Sequence, residues 1–222
     1  MSDNAPNETS DLPLFPATAP AVFSDAEVSS ELFGDVLDGL AAVIDVDSAD
    51  LGRATPCADY DLGQLRTHVL GWLRFMATAL QDPSALGGRP DPEAFSLAPG
   101  ERASAVVEQA LDDIQKAIAS GVAAQEVTMS EARMTGDAVL AMCLGEYIIH
   151  AWDLATATGR DYAMTDAAVA PAHEFLRGIV APEYRGPDSG FFGHEVEVAA
   201  DVTPLTSLLG FAGRDPSWTP AA

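Results

Sequence analysis

The sequence predicts an all-α protein, a four-helix bundle with a small C-terminal helix, strand and helix appended. Two observations predict it. Four long segments repeat apolar residues at the three- and four-residue steps of an amphipathic helix, and Pro- and Gly-containing stretches separate them. The fourth segment, Ala138 to Gly159, is apolar nearly all round, as a central helix must be, yet carries Glu146, His150 and Asp153.

Residues 1–23 are rich in Pro, Ala, Ser, Thr and Asn and lack an apolar period, which reads as a disordered or loosely draped tail. The bundle is expected over residues 24–160. Its first helix opens with a capping box, Ser24 as N-cap and Glu27 three positions on, and its inward line Val28, Leu32, Val36, Leu40 runs towards Val46. After Thr55-Pro56-Cys57-Ala58, either Asp59 or Asp61 can cap a second helix. Its inward line is Leu62, Leu65, Val69, Trp72, Leu73, Met76 and Leu80, and His68 falls on it. A connection from Asp82 to Gly100 leads to a third helix, marked by Ala103, Val106, Val107, Ala110, Ile114 and Ile118 and closed by Gly121. The fourth runs from near Thr135 to Gly159.

Residues 161–216 form the appendage, packed on the bundle. Thr165 caps a short helix reaching Val180. Phe192 to Ala199 alternates as suits one short strand or extended segment with Val196 and Val198 inward, and nothing in the sequence names its pairing partner. Thr203 and Pro204 then read as N-cap and first position of a last helix that Gly213 stops.

A chain of 222 residues with 48% hydrophobic positions fills one core. Its formal charge of −23 repels phosphate, so nucleic acid and anionic membrane surfaces are excluded as general partners. Lys116 is the sole lysine and sits among Asp112 and Asp113, which leaves lysine chemistry without a candidate site. Two cysteines and no basic-then-apolar leader suit a reduced cytoplasm. The Ala138–Gly159 stretch approaches membrane-spanning length, but its three ionisable side chains place it inside a protein core.

Those same side chains carry the chemistry. Glu146 and His150 are one helical turn apart on one face, close enough to meet on a single ion. With His68 they make two imidazoles and a carboxylate converging inside a bundle. That set binds Zn²⁺ with an open fourth position, or Fe²⁺ or Ni²⁺ with more. The plainer alternative is an i,i+4 hydrogen bond and no metal; the cost of burying an unpaired carboxylate weighs against it. Glu-x-x-His pairs of di-iron bundles, His-Glu-x-x-His, phosphate loops and Gly-x-Ser-x-Gly are all absent. Asp153, one turn beyond His150, is the candidate catalytic helper, as an orienter of a ligand or of bound water, with pairing to an arginine as its alternative. Cys143 reads as packing before ligand, Cys57 as a turn residue before a redox thiol, Trp72 and Trp152 as core or cavity wall, and His173 and His194 as structural or surface.

Thr55-Pro56-Cys57-Ala58-Asp59-Tyr60-Asp61 leading into Leu65-Arg66-Thr67-His68-Val69, together with Glu146-Tyr147-Ile148-Ile149-His150-Ala151-Trp152-Asp153-Leu154-Ala155, resembles the actinobacterial metal-binding branch of the DinB-like four-helix-bundle superfamily. The same pattern occurs in the N-terminal domain of mycothiol-dependent maleylpyruvate isomerase. The stretch from Phe192 through Pro216 is similar to the tail of uncharacterised members. The resemblance implies one divalent metal on His68, Glu146 and His150, with zinc first and nickel or iron as alternatives. It further implies mycothiol or another low-molecular-weight thiol as cofactor, a small-molecule substrate, and a thiol-dependent isomerase or transferase acting on an electrophile. Metal-dependent hydrolysis and a non-catalytic helical interaction module are the other readings. The chain is too short for the isomerase's full second domain, which leaves the substrate open, and a homodimer is among the assemblies left open.

Overall fold

The computed structural model describes residues 12–85, 89–129, 132–186 and 192–220. Helix α1 (Ala26–Ile44) lies against α3 (Ala103–Ala119) and α4 (Gly136–Ala157), and α2 (Leu62–Gln81) closes the bundle against α3 and α4. The faces chosen by the apolar spacing are the ones that meet: Leu32, Val36 and Leu40 of α1, Leu65, Val69 and Leu73 of α2, and Val107 and Ile114 of α3 are all buried. Helix α4 buries 18 of its 22 residues, so the surface that would let it cross a membrane by length and apolarity is taken up by its neighbours. The all-α bundle with a small appendage is therefore the architecture of the chain.

Local chemistry fixes the helix ends. Asp61 caps α2 in a reciprocal capping box with Gln64. Helix α1 is capped by Asp25, not Ser24: Ala21–Ser24 forms a 3₁₀ turn that sinks Phe23 fully into the core, and Asp25 is the first residue free to accept from the Glu27 and Val28 amides, at 3.0 and 3.1 Å. Helix α4 stops in a Schellman pattern, with Gly159 left-handed at φ 67° and the Arg160 N–H donating to the Ala155 carbonyl at 2.8 Å. The Arg160 guanidinium then donates to the carbonyls of Val43 and Asp45 at the end of α1, tying the two helix ends together.

Three peripheral features complete the fold. Of the expected N-terminal tail, residues 1–11 lie outside the described residues. Residues 12–24 are docked: the Phe15 N–H donates to the Arg133 carbonyl at 2.7 Å, and the Arg133 N–H donates to the Pro13 carbonyl at 2.8 Å. Arg133 belongs to an antiparallel hairpin, β1 (Glu126–Thr128) with β2 (Arg133–Thr135), whose three-residue strands are too short to leave a period in the sequence. Of the short strand or extended segment expected at Phe192 to Ala199, the structure has the extended segment: Val196 and Val198 turn inward, and the Val196 N–H donates to the Gly210 carbonyl of a helix. A helix end offers no ladder to extend.

In the appendage, α5 (Asp166–Ile179), capped by Thr165, packs on α4, and α6 (Pro204–Phe211), capped by Thr203, packs on α5.

Candidate metal centre

Helix α2 delivers His68 and α4 delivers Glu146 and His150, so two facing helices present three donors to one point. Glu146 Oε1 lies 3.3 Å from His68 Nε2 and 3.2 Å from His150 Nε2. The three donor atoms all lie within 4.8 Å of one another. The two imidazoles meet edge to face, their centroids 5.5 Å apart.

Each imidazole is held from behind. His68 Nδ1 lies 3.2 Å from the Tyr60 hydroxyl, and the two rings stack with centroids 4.8 Å apart. Tyr60 is placed by the loop ahead of α2, where the buried Thr55 hydroxyl sits 2.9 Å from the carbonyls of both Cys57 and Tyr60 and accepts the Cys57 N–H. His150 Nδ1–H donates to Asp153 Oδ2 at 2.9 Å. With Nδ1 engaged on both rings, Nε2 is the nitrogen each turns towards the shared carboxylate, the arrangement ligating histidines use.

The cluster is closed behind His150 and open at His68 and Glu146. The His150 side chain is 8% exposed and that of Asp153 not at all, whereas His68 is 18% and Glu146 37% exposed. A cleft of about 510 Å³ reaches His68, lined also by Tyr60, Gln64 and Thr67 and by the carboxylates of Asp59, Asp61 and Glu93. Burial pushes the Glu146 carboxyl up, but the imidazoles of His150 and then His68 outweigh it and hold it well below the usual carboxylate range. Burial opposes charge on His150, and the Glu146 and Asp153 carboxylates overcome it, raising His150 to about 9.

Of the sequence-predicted residues, His68, Glu146 and His150 come together. Asp153 lies behind His150, fully buried and away from the cleft. Sequence reasoning missed Arg214. Its side chain, on a residue 8% exposed, donates through Nε to Asp153 Oδ1 and Oδ2 at 3.1 and 3.2 Å, and through Nη2 to Oδ2 at 3.1 Å. The only signal in the sequence is that a buried Asp153 needs a cation, which ten arginines could supply. Cys143 is buried, its thiol pushed up to about 12, and is not among the converging donors. Trp72 stands beside the His68 ring, while His173 packs on Phe211 away from the cluster.

Two imidazole nitrogens and one carboxylate, with both rings braced and one side open to a cleft, suit a divalent cation that keeps coordination positions for another molecule. Uncharacterized proteins from two strains of Mycobacterium tuberculosis are each 27% identical over 178 residues, covering 80% of this chain and 92% of theirs. No solved structure matches the chain. The sequence profile of the mycothiol maleylpyruvate isomerase N-terminal domain matches residues 33–155, more than half the chain and every candidate ligand, so the protein belongs to that family.

Proposed function

We propose that the protein holds one divalent metal, zinc before nickel or iron, between His68, Glu146 and His150, and works with a low-molecular-weight thiol of the mycothiol type to transfer or isomerise a small electrophile. The observation that carries this reading is the convergence of both Nε2 atoms on Glu146 Oε1, with His68 and Glu146 partly open to solvent. A metal on these residues supplies Lewis acidity, which makes a thiol available as thiolate at neutral pH.

The chain's own residues do the rest. Tyr60 and Asp153 keep the two imidazoles aimed at one point, so little reorganisation accompanies ligation. The cleft beside His68 receives the small molecule. Among the described residues no Lys or Arg lines it, while Asp59, Asp61 and Glu93 do. A neutral, hydroxyl-bearing or cationic molecule is therefore favoured there over a dicarboxylate, which would meet like charge. Two buried free cysteines accord with a reducing cytoplasm as its place of work.

The test is the metal content of tag-free protein by mass spectrometry, with Glu146→Ala and His150→Ala prepared alongside, followed by calorimetric titration of the zinc-loaded protein with mycothiol. About one equivalent of metal in the parent and none in the variants is expected. A parent that takes up no Zn²⁺, Ni²⁺ or Fe²⁺ sinks the metal reading. A zinc-loaded protein that ignores mycothiol sinks the thiol reading and leaves the site standing.

A further inference from the structure

We propose that Arg214 is a positioning residue for the metal centre, clamping Asp153 so that His150 presents Nε2, and hence that the C-terminal appendage is a working part of the site. The proposal rests on the metal reading above. Arg214 lies beyond residues 33–155, the region the family profile matches.

Every acceptor on Asp153 is occupied. Oδ1 receives Arg214 Nε, and Oδ2 receives Arg214 Nε and Nη2 together with His150 Nδ1–H. A planar guanidinium gripping a carboxylate from one edge fixes the plane of that carboxylate as well as its place. The orientation of Oδ2 towards His150 is thereby set from the segment just after α6 rather than from α4 alone. Asp153 has no contact with solvent that could reorient it. Without its cation it would be a buried charge whose only remaining partner is the imidazole that has to serve the metal.

The backbone at Arg214 is built to hold the clamp still. Helix α6 ends in a Schellman pattern: the Arg214 N–H donates to the Leu209 carbonyl at 2.9 Å, and the Gly213 N–H to Gly210 at 3.1 Å. Gly213 is left-handed at φ 80°, and a Cβ there would lie 2.7 Å from the Cα of Gly193, so the extended segment and the helix end touch backbone to backbone. Arg214 Nη1 also donates to the Ala212 carbonyl at 3.3 Å. The competing account is that Arg214 merely staples the appendage down. Arg185 does that by other means: it donates to the Phe211 carbonyl at 2.7 Å and stacks on the Phe211 ring at 4.4 Å, with no bond to Asp153.

Arg214→Met, Arg214→Lys and Arg185→Met separate the two accounts. Three quantities are read: zinc affinity by competition with a chromophoric chelator, melting temperature, and the two-bond ¹H–¹⁵N spectrum of the His150 ring in metal-free protein. The proposal expects Arg214→Met to weaken zinc binding by about 10–100-fold, Arg214→Lys to recover part of it, and Arg185→Met to lower the melting temperature while binding zinc as the parent does. The His150 Nδ1–H signal should change in Arg214→Met alone. Zinc affinity in Arg214→Met that equals the parent's, or that falls only in step with Arg185→Met, overturns the proposal. If the parent itself takes up no zinc, the metal reading fails separately and the ring spectrum decides: a His150 signal unchanged in Arg214→Met overturns the positioning role, and a lost or shifted one upholds it.

Discussion

Residues 12–24 and residues 192–214 both lie outside the four bundle helices and both lie against them, the first with Phe23 and the second with Arg214. Phe23 is wholly buried among apolar side chains. Arg214 is nearly as buried, and its guanidinium grips the Asp153 carboxylate and the Ala212 carbonyl. Apolar cover stabilises in proportion to area and is indifferent to direction, whereas a buried ion pair adds little net stability and fixes direction closely. One segment should govern whether the protein stays folded, the other whether His150 points correctly.

Substituting Phe23→Ala should therefore produce the largest loss of stability, about 3–5 kcal/mol by urea or thermal unfolding, with zinc affinity of the folded protein unchanged. A fall in zinc affinity alongside it would break the division between the two segments. Gly213→Ala comes next. The left-handed backbone and the contact with Gly193 together should cost about 1–3 kcal/mol, and here zinc affinity should drop as well because Arg214 is displaced.

The pH response sharpens the same contrast. In metal-free protein His150 is raised from 6.5 to about 9, so folding binds its proton more tightly than the unfolded chain does. The stabilisation is complete below the unfolded value and is lost as pH rises through about 9. The urea midpoint of the metal-free protein should fall across that window, and zinc uptake, which displaces the proton, should tighten across it. His150→Ala should remove the slope, and Phe23→Ala should leave it intact. The smallest effect concerns the thiols. Burial pushes Cys57 up to about 11, with Arg214 pulling the other way, and Cys143 to about 12. Neither should react with Ellman's reagent in the native protein at pH 8. Arg214→Met should slow alkylation of Cys57, because it removes the cation that favours that thiolate, and leave Cys143 unchanged, as peptide mass spectrometry would register.

Much of this was legible in the residues. The four bundle helices follow from apolar spacing, because each buries a single stripe, and α4 announced itself as central by having apolar residues nearly all round. The pairing of Glu146 with His150 follows from helical geometry, and His68 from lying on the inward line of α2. The alternation at Phe192 to Ala199 predicted direction correctly, since Val196 and Val198 face inward, but alternation cannot supply a neighbouring strand. The hairpin of β1 and β2 was invisible because three residues do not make a period. The α1 cap was misplaced by one residue, because Ser24 and Asp25 are both good caps and the choice was made by where Phe23 had to go. Arg214 was out of reach for a different reason: it is 61 positions from Asp153, and only tertiary structure selects one arginine among ten.

Gly71 carries a consequence for comparison between chains. A Cβ at this position of α2 would lie 2.2 Å from the Pro92 carbonyl oxygen and 3.1 Å from Phe95, so the connection bearing Glu93 rests directly on helix backbone. No side chain can be interposed without rerouting that connection. A relative with any larger residue at this position must carry its wall of the cleft along another path. The rim of the cleft can thus be read across from one sequence to another only where this glycine is kept, even when all three candidate metal ligands agree.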